Sequence, residues 1–214
     1  MFPFLETIKV QNGKAALLSY HQKRLNRTFK HFFPSEKKLD LENIFSKEEK
    51  ILATQNTDNQ VFKCRFLYNE KSFFIELLPY SIKPISSFRL VHVGDDFSYH
   101  FKFSKRDLLN DLIVDNQEVI IVKNGFLTDT TYANIALKQG DKWYTPSEPL
   151  LQGTKRDFLI ENQLIIPKPL HINDLQNFSH IKIFNAMMES EAIALFDCLI
   201  VQTEIVPKKD RNTD

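Results

Sequence analysis

The chain has 214 residues, of which 43% are hydrophobic, 26% charged and 12% aromatic. These proportions are sufficient for a buried core and exclude a disordered chain, a collagen-like repeat and a disulfide-held miniprotein. With 28 Lys and Arg residues against 27 Asp and Glu residues, the formal net charge is +1, which argues against a dedicated nucleic-acid-binding protein.

The cysteines and the apolar runs indicate a reduced compartment. Cys64 and Cys198 lie in apolar stretches without a second Cys or His at metal-ligand spacing, so we expect buried thiols and no metal site. No apolar run approaches the length of about 18 residues that a membrane span requires, and no signal peptide is recognisable at the N-terminus. A cytoplasmic protein without membrane contact is expected.

The first part of the chain has the pattern of a small α+β unit. Asn12-Gly13 separates two strand-like runs and predicts a tight hairpin. Ser19 and Gln22 have the spacing of a capping box, followed by an apolar helical stripe. The remaining predicted elements are a helix over 41–52 and paired strands over 62–68 and 72–78.

A segment containing two prolines and three serines, 79–87, predicts a boundary between two lobes. We therefore predict an α+β fold with a small lobe over 1–81, a linker over 82–87, a larger lobe over 88–206 and a C-terminal tail over 207–214.

The larger lobe begins with two predicted strands, 88–93 and 97–103. Asn124-Gly125 predicts a second hairpin, between strands over 118–122 and 126–137. Two further capping-box patterns predict helix starts: Ser104 with Asp107, and Thr154 with Asp157. Short strands are predicted over 143–145, 181–184, 192–196 and 199–202.

Two residues are candidates for chemistry. Lys102 shares one face of the predicted strand 97–103 with small polar residues, where a lysine that loses hydration can act as an amine nucleophile. A solvated lysine at a sheet edge is the alternative. Asp129 lies in an apolar segment and could hold a proton on a heterocyclic nitrogen, or it could be a turn residue satisfied by backbone N–H groups.

Two features could bind an anion. Gly153-Thr154 precedes a predicted helix, whose first N–H groups could hold a phosphate. Lys23, Arg24 and Arg27 form a basic cluster that offers a guanidinium to such a group. The alternatives are an ordinary helix cap and a solvated basic face; a nucleic-acid-binding surface on this helix is disfavoured by the balanced net charge.

Taken in order along nearly the whole chain, these segments resemble the class IV aminotransferases, enzymes of fold type IV that use pyridoxal 5′-phosphate (PLP). The family includes branched-chain and D-amino-acid aminotransferases and 4-amino-4-deoxychorismate lyase. The matching motifs are Leu5-Glu-Thr-Ile-Lys-Val10 with Asn12-Gly-Lys14, His21-Gln-Lys-Arg-Leu25, Lys102 with Arg106, Asn124-Gly-Phe-Leu-Thr-Asp129 with Asn134, Tyr144-Thr-Pro146, Leu150-Leu-Gln-Gly-Thr-Lys-Arg156 and Phe184-Asn-Ala-Met-Met188.

The resemblance implies a role for each matching residue. It implies that Lys102 carries PLP as a Schiff base, that Asp129 pairs with the pyridine nitrogen and that Arg24 binds the phosphate. The phosphate cup would be completed by backbone groups of Thr154 and Lys155 and by the segment Asn185-Ala186. A small amine or amino-acid substrate and a homodimer are also implied.

The chain departs from the family pattern at two places. Asp129 stands where the family usually has a glutamate, which is one methylene longer, and the chain begins almost at the Leu5-Glu-Thr motif. The segment Asn185-Ala-Met-Met188 is more similar to the lyases than to the branched-chain aminotransferases. The expected reaction is therefore conversion of 4-amino-4-deoxychorismate into 4-aminobenzoate and pyruvate; an aminotransferase and a non-catalytic binding module are the alternatives.

Overall fold

A computed structural model of the chain describes residues 2–33, 39–56, 59–82, 87–113, 118–195 and 199–205. It contains two β-sheets, one formed before and one after the predicted boundary at 82–87. Residues 83–86 of the predicted linker, the predicted tail over 207–214, and Cys198 lie outside the described residues. The exact lobe boundaries therefore stay predictions.

The smaller sheet has four strands in the order β2-β1-β3-β4, and all neighbours are antiparallel. The strands are β1 (Phe4–Gln11), β2 (Lys14–Ala15), β3 (Val61–Tyr68) and β4 (Phe73–Pro79). The predicted hairpin at Asn12-Gly13 is confirmed, with φ angles of 51° and 72°, the left-handed conformations that a two-residue turn of this kind requires.

One long helix packs on this sheet. Helix α1 (Leu18–Phe32) buries Leu25 and Phe29 against Ile8 of β1 and Phe66 of β3. The predicted helix over 41–52 is instead two short helices, α2 (Leu41–Phe45) and α3 (Glu49–Leu52), followed by a 3-10 turn at Ala53–Asn56. The interruption occurs because Glu48 adopts an extended conformation before α3.

The larger sheet has ten strands. Its main path runs β10-β9-β8-β7-β6-β5-β14, and β11 pairs with β8, β12 and β13. The strands are β5 (Phe88–Val93), β6 (Glu118–Lys123), β7 (Phe126–Thr130), β8 (Asn134–Gln139), β9 (Lys142–Pro146), β10 (Ile166–Lys168), β11 (His180–Asn185), β12 (Met188–Glu189), β13 (Ile193–Ala194) and β14 (Leu199–Ile205). Helices α4 (Asp107–Asn110) and α5 (Thr154–Glu161) and a 3-10 helix at Ile172–Asn177 accompany this sheet.

Two segments of the larger lobe that were predicted as strands, 97–103 and 126–137, have a different structure. The segment 97–103 is irregular, with only an isolated bridge between Phe103 and Phe4. The predicted strand over 126–137 is interrupted after Thr130, whose N–H donates to the carbonyl of Ala133 at 2.9 Å. This interruption ends β7 and starts β8 with Asp129 and Asn134 opposite each other.

All three predicted capping boxes are wrong. Helix α1 begins after Leu17, which has φ 54°, and the side chain of Gln22 instead bonds to backbone groups of Leu39 and Leu41. Ser104 donates its hydroxyl to the carbonyl of Phe2, and α5 has no side-chain cap at Gly153. In each case the side chain that the sequence pattern assigned to the cap is not used for capping.

Candidate active site

A cavity of about 340 Å³ lies between the two sheets. Its lining includes side chains from β1 and β3 of the smaller sheet and from helix α1. The other walls come from the segment 99–109, from the β7–β8 connection, from the loop before α5 and from the turn after β11. Among the predicted site residues, six line this cavity: Arg24, Lys102, Asp129, Thr154, Asn185 and Ala186.

Lys102 lies on the irregular segment that the edge of β1 holds in place. The N–H of Leu5 donates to the Lys102 carbonyl at 3.0 Å, and the N–H of Ser104 donates to the carbonyl of Pro3 at 2.8 Å. The Lys102 amine forms no ion pair or hydrogen bond with any described residue. Burial, together with the positive charges of Arg24 and Arg106, lowers its pKa to about 7. A large fraction of this amine is therefore unprotonated, and nucleophilic, near neutral pH.

Arg24 belongs to a buried group of three charged or polar side chains. Its Nε donates to Glu6 Oε1 at 2.9 Å, and its Nη2 donates to Glu6 Oε2. His21, one turn earlier on α1, has its Nδ1 2.6 Å from the same Oε2. Burial alone would raise the pKa of Glu6, but the charge of Arg24 and the hydrogen bonds from His21 and Arg24 lower it to about 2. The carboxylate is therefore ionised.

Asp129 is a buried carboxylate with both oxygens engaged. Oδ1 accepts from Asn134 Nδ2 at 2.8 Å, and Oδ2 accepts from the Leu151 N–H at 2.9 Å. Burial raises the pKa of Asp129 to about 6 in spite of these hydrogen bonds. A protonated nitrogen placed against Asp129 would compensate the negative charge of this carboxylate.

The start of α5 supplies a hydroxyl donor that has no partner among the described residues. Thr154 is buried, and its hydroxyl finds no hydrogen-bond partner among the described residues. Gly153 precedes it, and a β-carbon there would lie 1.9 Å from Asn134 Oδ1, so any other residue would have to displace the Asn134 side chain. The side chain of Lys155 ion-pairs with Glu189 at 3.3 Å and is not part of the cavity lining, which leaves only its backbone for the predicted phosphate cup.

Asn185 shapes the turn that closes the cavity beside Thr154. Its Oδ1 accepts from the N–H groups of Met187 and Met188 at 2.8 and 3.2 Å, and its Nδ2 donates to the carbonyl of Tyr132 at 3.3 Å. The side chain thus holds the 185–188 turn in one conformation. Ala186, the next residue of the turn, also lines the cavity.

Helix α1 is fixed against α5 by polar contacts that split the predicted basic cluster. Lys23 ion-pairs with Glu161 at 2.7 Å, the hydroxyl of Tyr20 donates to Glu161 at 2.8 Å, and Arg27 pairs with Asp157 at 3.5 Å. Two of the three predicted cations are therefore paired at the surface of α5. Of these three residues, only Arg24 lines the cavity between the sheets, which Thr154 also lines.

Further basic side chains line the cavity. Arg65, which ion-pairs with Glu76 at 2.5 Å, and Arg106, which donates to the carbonyl of Thr131, belong to its wall, whereas Arg89 in β5 does not. Lys63, two residues before Arg65 on β3, also contributes. The strand period of two could have identified Lys63. No sequence signal distinguished Glu6 or His21 from the other residues of their motifs.

The donor set fits a phosphorylated aldehyde with a basic ring nitrogen. The Lys102 amine can attack an aldehyde, the Asp129 carboxylate can hold a proton on a ring nitrogen, and Arg24 with the unpartnered Thr154 hydroxyl can hold a phosphate. No group of His, Cys, Asp or Glu side chains in the described part of the chain is arranged to hold a metal ion. None of the described helices is long and apolar enough to cross a membrane.

Comparison with known proteins identifies the family of the chain. The family described as Amino-transferase class IV matches residues 108–194. An uncharacterised protein of Haemophilus influenzae is 35% identical over 190 residues, which cover 87% of this chain and 98% of that protein. The crystal structure of a proposed 4-amino-4-deoxychorismate lyase from Haemophilus somnus 129PT is 33% identical, with a TM-score of 0.80, and the match covers 87% of this chain and 97% of that one.

A more distant structure shares the fold. The PLP-bound form of a hypothetical aminotransferase from Mycobacterium tuberculosis is 15% identical and has a TM-score of 0.66, covering 92% of this chain and 81% of that chain. The mixed α/β architecture with two sheets is thus that of the class IV aminotransferases. The chain belongs to the class IV aminotransferases, a family of PLP-dependent enzymes.

Proposed function

We propose that the protein is a PLP-dependent lyase that converts 4-amino-4-deoxychorismate into 4-aminobenzoate and pyruvate, a step of folate biosynthesis. The observation that carries the proposal is that Lys102, Asp129 and Arg24 line a single cavity although they come from different parts of the chain. The choice of a lyase is supported by the likeness of nearly the whole chain to the Haemophilus somnus protein.

Several residues would hold the cofactor. Arg24, the Thr154 hydroxyl, the backbone of Lys155 and the Asn185-Ala186 turn would bind its phosphate. Asp129 would accept a hydrogen bond from the protonated ring nitrogen, and Lys102 would supply the amine for covalent attachment. When bound, PLP supplies a conjugated ring that stores the electron pair left when a proton or a leaving group is removed from the substrate.

The residues of the chain then control proton transfer. The Lys102 amine, whose pKa is lowered to about 7, would be suited to remove the proton from the substrate carbon that bears the nitrogen. Asn134 and the Leu151 N–H keep the Asp129 carboxylate oriented during this step. Because Asp129 is shorter than glutamate, we propose that the β7–β8 connection brings it close enough to serve the ring nitrogen.

The charge of the cavity suits an anionic substrate. Among the described residues, five basic side chains line it against one acidic side chain, Asp129; the basic ones are Arg24, Lys63, Arg65, Lys102 and Arg106. A phosphate and the two carboxylates of 4-amino-4-deoxychorismate carry the charge opposite to that of this largely basic wall. Arg65 and Arg106 are candidates for contact with a substrate carboxylate.

The same residues would serve an aminotransferase acting on a branched-chain or D-amino acid, and one experiment separates the two. The purified protein is incubated with PLP and 4-amino-4-deoxychorismate, without a keto acid. A lyase releases 4-aminobenzoate and pyruvate in equal amounts over many turnovers. An aminotransferase instead stops after one equivalent, with the cofactor left as pyridoxamine phosphate, and restarts when a keto acid is added.

We further propose a cytoplasmic homodimer that binds small molecules and neither nucleic acid nor a membrane. The proposal is supported by the family resemblance and by the formal net charge of +1, which disfavours a nucleic-acid partner. Static light scattering of the purified protein tests the dimer directly.

A further inference from the structure

We propose that Glu6 is a positioning residue for the cofactor phosphate, acting through Arg24. The inference rests on the proposed function, in which Arg24 binds the phosphate of PLP. It adds a residue that does not touch the cavity: Arg24 lines the cavity, whereas Glu6 and His21 are 0% exposed and form no part of its wall.

The geometry of the Glu6 contact fixes the plane of the guanidinium. Two hydrogen bonds, from Nε and Nη2, join Arg24 to the two oxygens of one carboxylate. A bidentate contact of this kind leaves a planar guanidinium one orientation, unlike a contact to a single oxygen. Of its five N–H donors, three remain for a ligand in the cavity.

His21 in turn fixes the carboxylate. Its Nδ1 lies 2.6 Å from Glu6 Oε2, the oxygen that also accepts from Arg24 Nη2. His21 and Arg24 lie three residues apart on α1 and so share one face of the helix, opposite Glu6 on β1. The order of support is therefore His21, Glu6, Arg24 and then the phosphate.

The buried Glu6 carboxylate also holds the Arg24 guanidinium in position before the cofactor binds. A buried arginine without a counter-ion is strongly unfavourable, so an Arg24 without Glu6 would turn toward solvent or disorder the helix face. With Glu6 present, the guanidinium is already in place when the phosphate arrives. Preorganisation of this kind increases affinity because the ordering cost is met during folding.

A second ion pair in the same cavity provides a matched control. Arg65 also lines the cavity and also pairs with a glutamate, Glu76. The side chains of Arg65 and Glu76 are 35% and 36% exposed. Both residues lie in the smaller sheet, far from Thr154 along the sequence. We expect Glu76 to have no influence on phosphate binding.

The test compares the affinities of two cofactor forms, PLP and pyridoxal, which differ only in the phosphate. The dissociation constant of pyridoxal divided by that of PLP measures how well the protein recognises the phosphate. We expect Glu6→Gln to reduce this ratio by about tenfold or more, as does Arg24→Met, while Glu76→Gln leaves it unchanged. Combining Glu6→Gln with Arg24→Met should give no further reduction, because Glu6 acts through Arg24.

The outcomes separate this inference from the proposed function. A wild-type ratio in Glu6→Gln, with a reduced ratio in Arg24→Met, overturns the role of Glu6 alone. A wild-type ratio in Arg24→Met overturns the assignment of Arg24 to the phosphate. If circular dichroism shows that Glu6→Gln does not fold, Glu6→Asp decides the question: it keeps the charge but withdraws the carboxylate by one methylene, so a ratio equal to that of the wild type would contradict the proposal.

Discussion

Gly153 and Asn134 approach so closely that a β-carbon on residue 153 would lie 1.9 Å from the Asn134 side-chain oxygen. The same Asn134 donates to Asp129 at 2.8 Å and to the Leu151 carbonyl at 3.0 Å. The glycine thus allows one amide to connect the carboxylate of β7 with the loop before α5.

This contact predicts a specific effect of Gly153→Ala. The added methyl group should displace Asn134 and with it Asp129, reduce turnover and destabilise the protein by about 1–3 kcal/mol. Gly94→Ala is the control, because its methyl group would approach Asp96 Oδ1 only to 2.9 Å and Gly94 does not line the cavity. Denaturant unfolding and turnover of both variants check this, and equal behaviour of the two would contradict the account.

A second prediction concerns the charge of Asp129. An amide at this position cannot supply the negative charge that keeps a proton on a ring nitrogen, so Asp129→Asn should slow turnover by roughly 100-fold. Asp157→Asn is the matched control, since Asp157 pairs with Arg27 and does not line the cavity. If the two variants have similar rate constants, Asp129 does not serve the cofactor.

The pKa of Asp129 also predicts how the cofactor-free protein responds to pH. Burial raises this pKa from 3.8 to about 6, so the folded state binds the proton more tightly than the unfolded state. The free energy of unfolding should therefore decrease as the pH rises from about 4 to 6, by at most about 3 kcal/mol. Asp129→Asn should lose this dependence. Urea unfolding across the range measures it, and an equally steep decrease in the variant would exclude Asp129 as its source.

Glu6 should have the opposite pH dependence. Its pKa is lowered from 4.5 to about 2, so its contribution to stability is complete above pH 4.5 and is lost as the pH falls toward 2. The shift corresponds to about 3 kcal/mol at neutral pH. The stability difference between wild type and Glu6→Gln should shrink on acidification, whereas Glu76→Gln should change stability by less than about 1 kcal/mol throughout. A difference that is independent of pH would contradict an ionised Glu6.

Short-range sequence patterns determine the two hairpin turns of this chain but not its helix caps. The hairpins at Asn12-Gly13 and Asn124-Gly125 were predictable because both turns need left-handed φ angles, 51° and 72° in the first and 51° and 78° in the second. The capping-box predictions failed because the hydroxyl of Ser104 bonds to Phe2, 102 residues away, and that of Thr154 lines the cavity without a partner in the described part of the chain. Such tertiary placements leave no trace in local spacing.

In the candidate site, too, some residues could be predicted from the sequence and others could not. The motif order predicted that Arg24 and Thr154 would lie on one cavity, and the packing of α1 on α5 brings them there. Lys102 also lines the cavity, but on an irregular segment that depends on the edge of β1 and not on a strand of its own. The role of Glu6 could not be predicted, because its burial against His21 exists only after α1 packs on the sheet.

The most direct test of the account is to identify the lysine that binds the cofactor. Two lysines, Lys102 and Lys63, line the cavity, and the lowered pKa of Lys102, about 7, makes its amine reactive near neutral pH. The protein is loaded with PLP, reduced with borohydride, digested and analysed by mass spectrometry. We predict one modified peptide, carrying the label on Lys102, which is lost in Lys102→Met and kept in Lys63→Met. A label on Lys63 or Lys155, or a label that persists in Lys102→Met, would contradict the account.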